Sequence, residues 1–202
     1  MMLSKGTMVE NFIGFTNILD LQVGLESYSG PGHWNDPDML VVGMYGKGNV
    51  AHGGCTDAEY RSHFSLWCLL ASPLMLGCDV RAMNEATRDI VLNRAVIAVN
   101  QDPLGRQGHR VGSTGWAGEN VEAWAKPLHD GSIAVGLFDM GERNERRATV
   151  AWEALGLHDR RPCAVRDLWT CEDLGIFTGD FSTLIDSHDV ALVKLTPVSS
   201  TD

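Results

Sequence analysis

Trp34-Asn35-Asp36-Pro37-Asp38-Met39-Leu40-Val41-Val42 lies between a breaker cluster, Gly30-Pro31-Gly32, and a stretch that contains Gly43, Gly46, Gly48, Gly53 and Gly54. Its apolar end does not alternate with polar residues. It therefore reads as a short buried strand from Trp34 to Val42, running into a glycine-rich surface loop of the kind that borders binding sites. Before it, Phe12, Phe15, Ile18, Leu19 and Val23 recur at steps of three and four, which predicts a helix from Glu10 to Leu25 with one buried face. After it, Thr56 and Glu59 form a capping-box pattern that opens a helix carrying Tyr60, Phe64, Leu66, Trp67, Leu69 and Leu70. That helix is apolar over most of its circumference and must be covered on several sides. Pro73 stops it, Leu74 to Cys78 reads as a second buried strand, Asn84 opens a helix through Leu92, and a shorter helix follows around Ala95 to Val99.

Buried strands alternating with helices are what parallel βαβ architecture writes into a sequence. A complete (β/α)8 TIM barrel takes about 250 residues, so residues 1–107 have room only for its last two strands and their helices. After Asp102-Pro103-Leu104-Gly105 the texture changes. Short alternating or β-branched runs at Val121 to Ala125, Ser132 to Phe138, Ala148 to Trp152, Cys163 to Leu168 and Val190 to Leu195 are punctuated by Gly, Asp and Asn, as in Gly179-Asp180. This spacing predicts an antiparallel β-sandwich over 108–202, with the boundary near Gln107. The fold class is thus α/β followed by all-β.

Composition narrows the partners. The chain has 202 residues, of which 44% are hydrophobic, enough for a real core. With 26 acidic residues against 16 basic ones, the formal charge of -10 disfavours nucleic acid and anionic membrane and favours a neutral substrate. No run approaches the ~20 apolar residues that span a bilayer, and Met1 to Phe12 has no apolar leader, so a cytoplasmic location is expected. Five cysteines, Cys55, Cys68, Cys78, Cys163 and Cys171, make an odd count without a CxxC pair and are expected as thiols, Cys68 and Cys78 as small core residues. His33, His52 and His63 match no metal-binding spacing, and neither a metal nor a cofactor is expected.

Asp36 and Asp38 stand two apart on the expected strand, so their side chains would leave one face with Cα atoms about 6.5 Å apart. Acidic residues at the carboxyl end of a barrel strand face an active site. Asn35-Asp36-Pro37-Asp38 is equally the composition of a turn held by Asx hydrogen bonds, and residue types alone leave both readings open. As a hydrolytic pair the two are poor candidates. Glycoside hydrolysis needs carboxyl groups on opposite sides of the scissile bond, about 5 to 5.5 Å apart for retention, and neighbours on one strand face project in parallel. Asp79, between strand and helix, reads better as a cap. A calcium loop is excluded because no Asp-x-Asp-x-Asp-Gly pattern is present.

The run from Gly30 to Gly43 resembles the strand-seven segment of the melibiase-like retaining glycosidases, the family of α-galactosidases and α-N-acetylgalactosaminidases. The resemblance continues through Tyr60 to Trp67, Ser72 to Arg81 and Val96 to Gly105, similar to the family's seventh helix, eighth strand and barrel exit. It reaches the sandwich at Val121 to Leu128 and Arg166 to Trp169. It implies a protein that removes terminal α-linked galactose from oligosaccharides or glycoconjugates. It also implies a nucleophile Asp in a Lys-x-Asp-Tyr-like motif and an acid/base Asp before the sixth helix, and neither segment occurs here, so this chain has no catalytic residue to assign. Asp20, the nearest acid, lies inside the helix pattern and takes no such role. Asp38 and Met39 match positions that contact the galactose ring, and Asp36 and Trp34 match supporting positions. The alternative is an inactive remnant or a sugar-binding fragment. Galactose and N-acetylgalactosamine are not distinguished. Two barrel strands without neighbours would leave apolar helix faces uncovered around Phe64 and Trp67, so self-association is expected.

Overall fold

The central element is helix α2, and the reason is visible in its composition. From Glu59 to Leu69 every residue of the helix except Arg61 is buried, so apolar surface must meet it on opposite sides. The structure, a computed structural model, describes residues 15–47, 54–112, 121–141 and 145–198. The Glu10 to Gly14 part of the expected first helix, residues 48–53 of the glycine-rich loop, and His52 lie outside them.

The elements run α1 (Phe15–Gln22), α2 (Asp57–Leu69), α3 (Glu85–Val91), α4 (Arg94–Asn100), β1 (His109–Gly112), β2 (Val121–Pro127), β3 (Ile133–Asp139), β4 (Arg146–Ala151), β5 (Cys163–Asp167), β6 (Asp173–Phe177), β7 (Asp180–Ile185) and β8 (Val190–Pro197). The capping box that opens α2 is present: Glu59 N–H donates to Thr56 Oγ1 and Thr56 N–H to Glu59 Oε2. Asn84 and Asn93 cap α3 and α4 through their side-chain oxygens, which accept from Thr87 N–H and from Ala95 and Val96 N–H. Among the described residues no helix is long and apolar enough to cross a membrane.

The two expected barrel strands are reduced to one parallel bridge, Leu40 with Leu76. Leu40 N–H donates to Met75 C=O (2.7 Å) and Gly77 N–H to Leu40 C=O (2.9 Å), the slanted pattern of parallel pairing. A barrel strand draws its ladder from neighbours on both sides, and the described residues supply only one neighbour each. Val23, expected on the buried face of α1, is 45% exposed, because the helix ends at Gln22 and the chain turns at Gly24 with φ +86°.

The carboxyl-terminal strands form a six-stranded antiparallel sheet, ordered β1-β2-β3-β8-β5-β6, packed on the two-stranded sheet β4-β7. Period-two alternation sends the two faces of the central strands to different cores. Val135, Leu137, Ala123 and Val193 meet Val150 and Phe181 of the smaller sheet. Trp124, Ala134, Phe138 and Leu192 meet α2. Gly136 makes that approach possible, since a Cβ there would stand 2.8 Å from Leu69 Cδ1. Phe64 and Trp67 are consequently 1% exposed. The expectation that they stay uncovered is wrong, because the sheet supplies the surface that covers them.

Polar ties close the same seam. Arg61 of α2 pairs through both its Nε and Nη2 with Asp189, ahead of β8. Lys126 of β2 is fully buried, and burial pushes its ammonium down to about 8. Its Nζ donates to Val99 C=O (2.6 Å) and Cys68 C=O (3.3 Å), near the carboxyl ends of α4 and α2, where helix dipoles favour a cation. Cys68 is fully buried and Cys78 half-buried.

Candidate functional site

Pro31-Gly32 makes a tight turn in which Gly30 N–H donates to His33 C=O (2.8 Å) and His33 N–H to Gly30 C=O (3.0 Å). Trp34 leaves this turn with its ring on Gly105, where a Cβ would lie 2.7 Å from Cη2. The next residue anchors the segment. Asn35 Nδ2 donates to Leu25 C=O (2.8 Å) and to Gln107 Oε1 (2.7 Å), and Gln107 Nε2 donates to Gln22 C=O (3.0 Å). The stretch after α1, the extended segment and the barrel exit are thus joined by amide side chains, which hold direction without carrying charge.

Asp36 and Asp38 do not share a strand face. Asp36 Oδ1 accepts from Asp38 N–H (3.0 Å), an Asx turn, and Asp38 has φ +84°, a left-handed conformation uncommon outside glycine. The turn reading of this acidic pair is therefore realised in the backbone. Asp38 Oδ1 accepts from Met39 N–H (2.7 Å), and Asp38 C=O accepts from the indole Nε1–H of buried Trp67 (2.8 Å). Among the described residues neither Asp36 nor Asp38 engages its Oδ2, and both residues are exposed.

Met39 is 44% exposed, and its thioether lies over Gly77 of the neighbouring segment, where a Cβ would stand 3.0 Å from Sδ. A fixed carboxylate beside an apolar side chain suits a sugar, whose hydroxyls donate and whose C–H faces pack. Two carboxylates in one turn cannot flank a scissile bond.

Three further acids are engaged elsewhere. Asp79 caps the turn at Val80–Ala82 and pairs with Arg81 Nε and Nη2, both at 2.9 Å, and these hydrogen bonds hold its carboxyl below the usual range. Asp20 pairs with Arg110 Nη2 (2.5 Å), fastening α1 to β1. Asp102 takes His129 Nδ1 at 2.9 Å. Among the described residues no group of three His, Cys, Asp or Glu is placed to hold a metal.

Trp34 faces a cleft whose lining does not include Asp38 or Met39. It lines this cleft, of about 520 Å³, with Pro31, Ser72, Pro73, Asn100 and Asp102. Trp67 and Gly77, which hold Asp38 and Met39, carried no signal of that role in the sequence. Both looked like ordinary core and strand residues.

Two family models match the chain, one described as Alpha galactosidase A over residues 5–102 and one as Alpha galactosidase C-terminal beta sandwich domain over residues 118–195. The chain belongs to the α-galactosidase family. It corresponds to the family's carboxyl-terminal portion, the end of the barrel followed by the sandwich. An α-galactosidase of Cyamopsis tetragonoloba is 44% identical over 198 residues, which are 97% of this chain and 44% of that protein. An α-N-acetylgalactosaminidase of Gallus gallus is 33% identical over 91% of this chain and 42% of its own length. Among solved structures, α-galactosidase I from Mortierella vinacea superposes with a TM-score of 0.78 at 29% identity, covering 95% of this chain and 48% of that one. The chain spans less than half the length of each of these three relatives.

Proposed function

We propose that this chain supplies one edge of the galactose site of a retaining α-galactosidase, and that the nucleophile and acid/base belong to barrel segments this sequence does not hold. The geometry of Asp38 and Met39 carries the reading. One carboxylate oxygen is tied to the backbone and the other is open, next to an exposed thioether. Asp38 would accept from sugar hydroxyls and Met39 would pack against the ring. Asp36 supports Asp38 through the Asx turn, and Trp34 serves the segment as its anchor on Gly105. The division near Gln107 into a partial barrel (1–107) and a sandwich (108–202) belongs to the same proposal.

Methyl α-D-galactopyranoside titrated into the chain and followed by calorimetry tests this reading. Asp38→Ala is expected to weaken binding at least about tenfold, the order expected for losing hydrogen bonds to a charged group. Equal affinity in the variant would sink the assignment.

Self-association forms a further part of the proposal. Met75 and Val80, close in sequence to the bridged Leu76, are 65% and 61% exposed, and Leu21 of α1 is 67% exposed. Such surface favours oligomers. Light scattering on a size-exclusion column is expected to give a mass above that of one chain, and a monomer at all concentrations would count against it.

A further inference from the structure

The peptide unit between Asp38 and Met39 is bonded at both ends. Its N–H, from Met39, donates to Asp38 Oδ1 (2.7 Å), and its C=O, from Asp38, accepts from Trp67 Nε1–H (2.8 Å). The first bond is local and exposed and competes with water. The second comes from a side chain that is 1% exposed on α2, where few alternative partners exist for a carbonyl and an unmade bond is costly. Asp38 at φ +84° gains nothing from its own backbone preference, so an outside contact must hold it there. Trp67 is itself fixed: its ring lies 4.1 Å from that of His63, and its C=O accepts from Asn100 Nδ2 (3.3 Å). We infer that Trp67 is a positioning residue for the sugar edge, its buried indole N–H locking the Asp38–Met39 peptide and hence the directions of the Asp38 carboxylate and the Met39 thioether.

This inference rests on the proposed galactose site for its meaning, but its structural content can be tested without sugar. Trp67→Phe keeps an aromatic ring and removes the donor. In amide-resolved NMR of the whole chain, the Met39 amide is expected to move and to exchange with solvent about tenfold faster in Trp67→Phe, while the capping amides of Thr56 and Glu59 stay in place. A general loss of packing would move both sets. An unchanged Met39 amide in the folded variant would overturn the inference.

If Trp67→Phe does not fold, the unsubstituted chain decides. A Trp67 indole N–H with a hydrogen-bonded shift and slow exchange supports the lock, and one exchanging as fast as that of exposed Trp34 refutes it. With methyl α-D-galactopyranoside, Trp67→Phe is expected to bind about tenfold more weakly. A chain that binds no galactoside while showing the Met39 response loses the proposed function and keeps the lock.

Discussion

Lowering the pH from 7 to 4 is expected to destabilise the fold by about 3 kcal/mol through His63 alone. His63 is 1% exposed on α2, and burial pushes its imidazole down to about 3 from 6.5. The unfolded chain takes up the proton near pH 6.5, whereas the folded chain does so only near 3. Between those values the unfolded state binds more protons, so stability is complete above pH 6.5 and falls by up to about 1.4 kcal/mol for each unit below it. Denaturant midpoints measured across this range for the chain and for His63→Phe, which keeps a ring and cannot titrate, isolate the contribution. The variant's profile should be flatter between pH 6 and 4. Parallel profiles would show that His63 is protonated as readily folded as unfolded.

Phe138→Ala is expected to cost about 4 kcal/mol, the range for deleting a buried aromatic ring. Phe138 is fully buried in the core that the sheet shares with α2, and its ring lies against Gly136, where a Cβ would come within 2.5 Å of Cε2. Leu69 of α2 approaches the same glycine, so the cavity opens where helix and sheet meet and neither can collapse into it alone. The loss should therefore lower one shared melting transition. Two separate transitions, with only one shifted, would mean that the sandwich folds independently of α2.

The parts of the fold most legible in the sequence were those whose local signals agreed with their surroundings. The Thr56 and Glu59 box marked the start of α2, and the apolar runs at Val121 and Ser132 marked β2 and β3, which are covered on both faces. β6 and β7 were missed for a physical reason. β6 exposes most of its residues and contains Gly175 at φ +117°, while β7 begins at Asp180, which looks like turn punctuation. The coverage of Phe64 and Trp67 was illegible because it depends on which face of a distant sheet meets α2. At the site, Asn35-Asp36-Pro37-Asp38 did carry its turn in its composition. What it did not carry was the left-handed Asp38 or the indole that holds it, since both arise from packing against α2.

The most direct test of the central claim is turnover of an aryl α-D-galactopyranoside by the purified chain. Two carboxylates in one Asx turn can orient a sugar but cannot stand on both sides of its glycosidic bond. No turnover is predicted from this chain alone, with activity appearing only when barrel segments carrying a nucleophile and an acid/base are supplied, and vanishing again in Asp38→Ala. Hydrolysis by the unassisted chain would contradict the account.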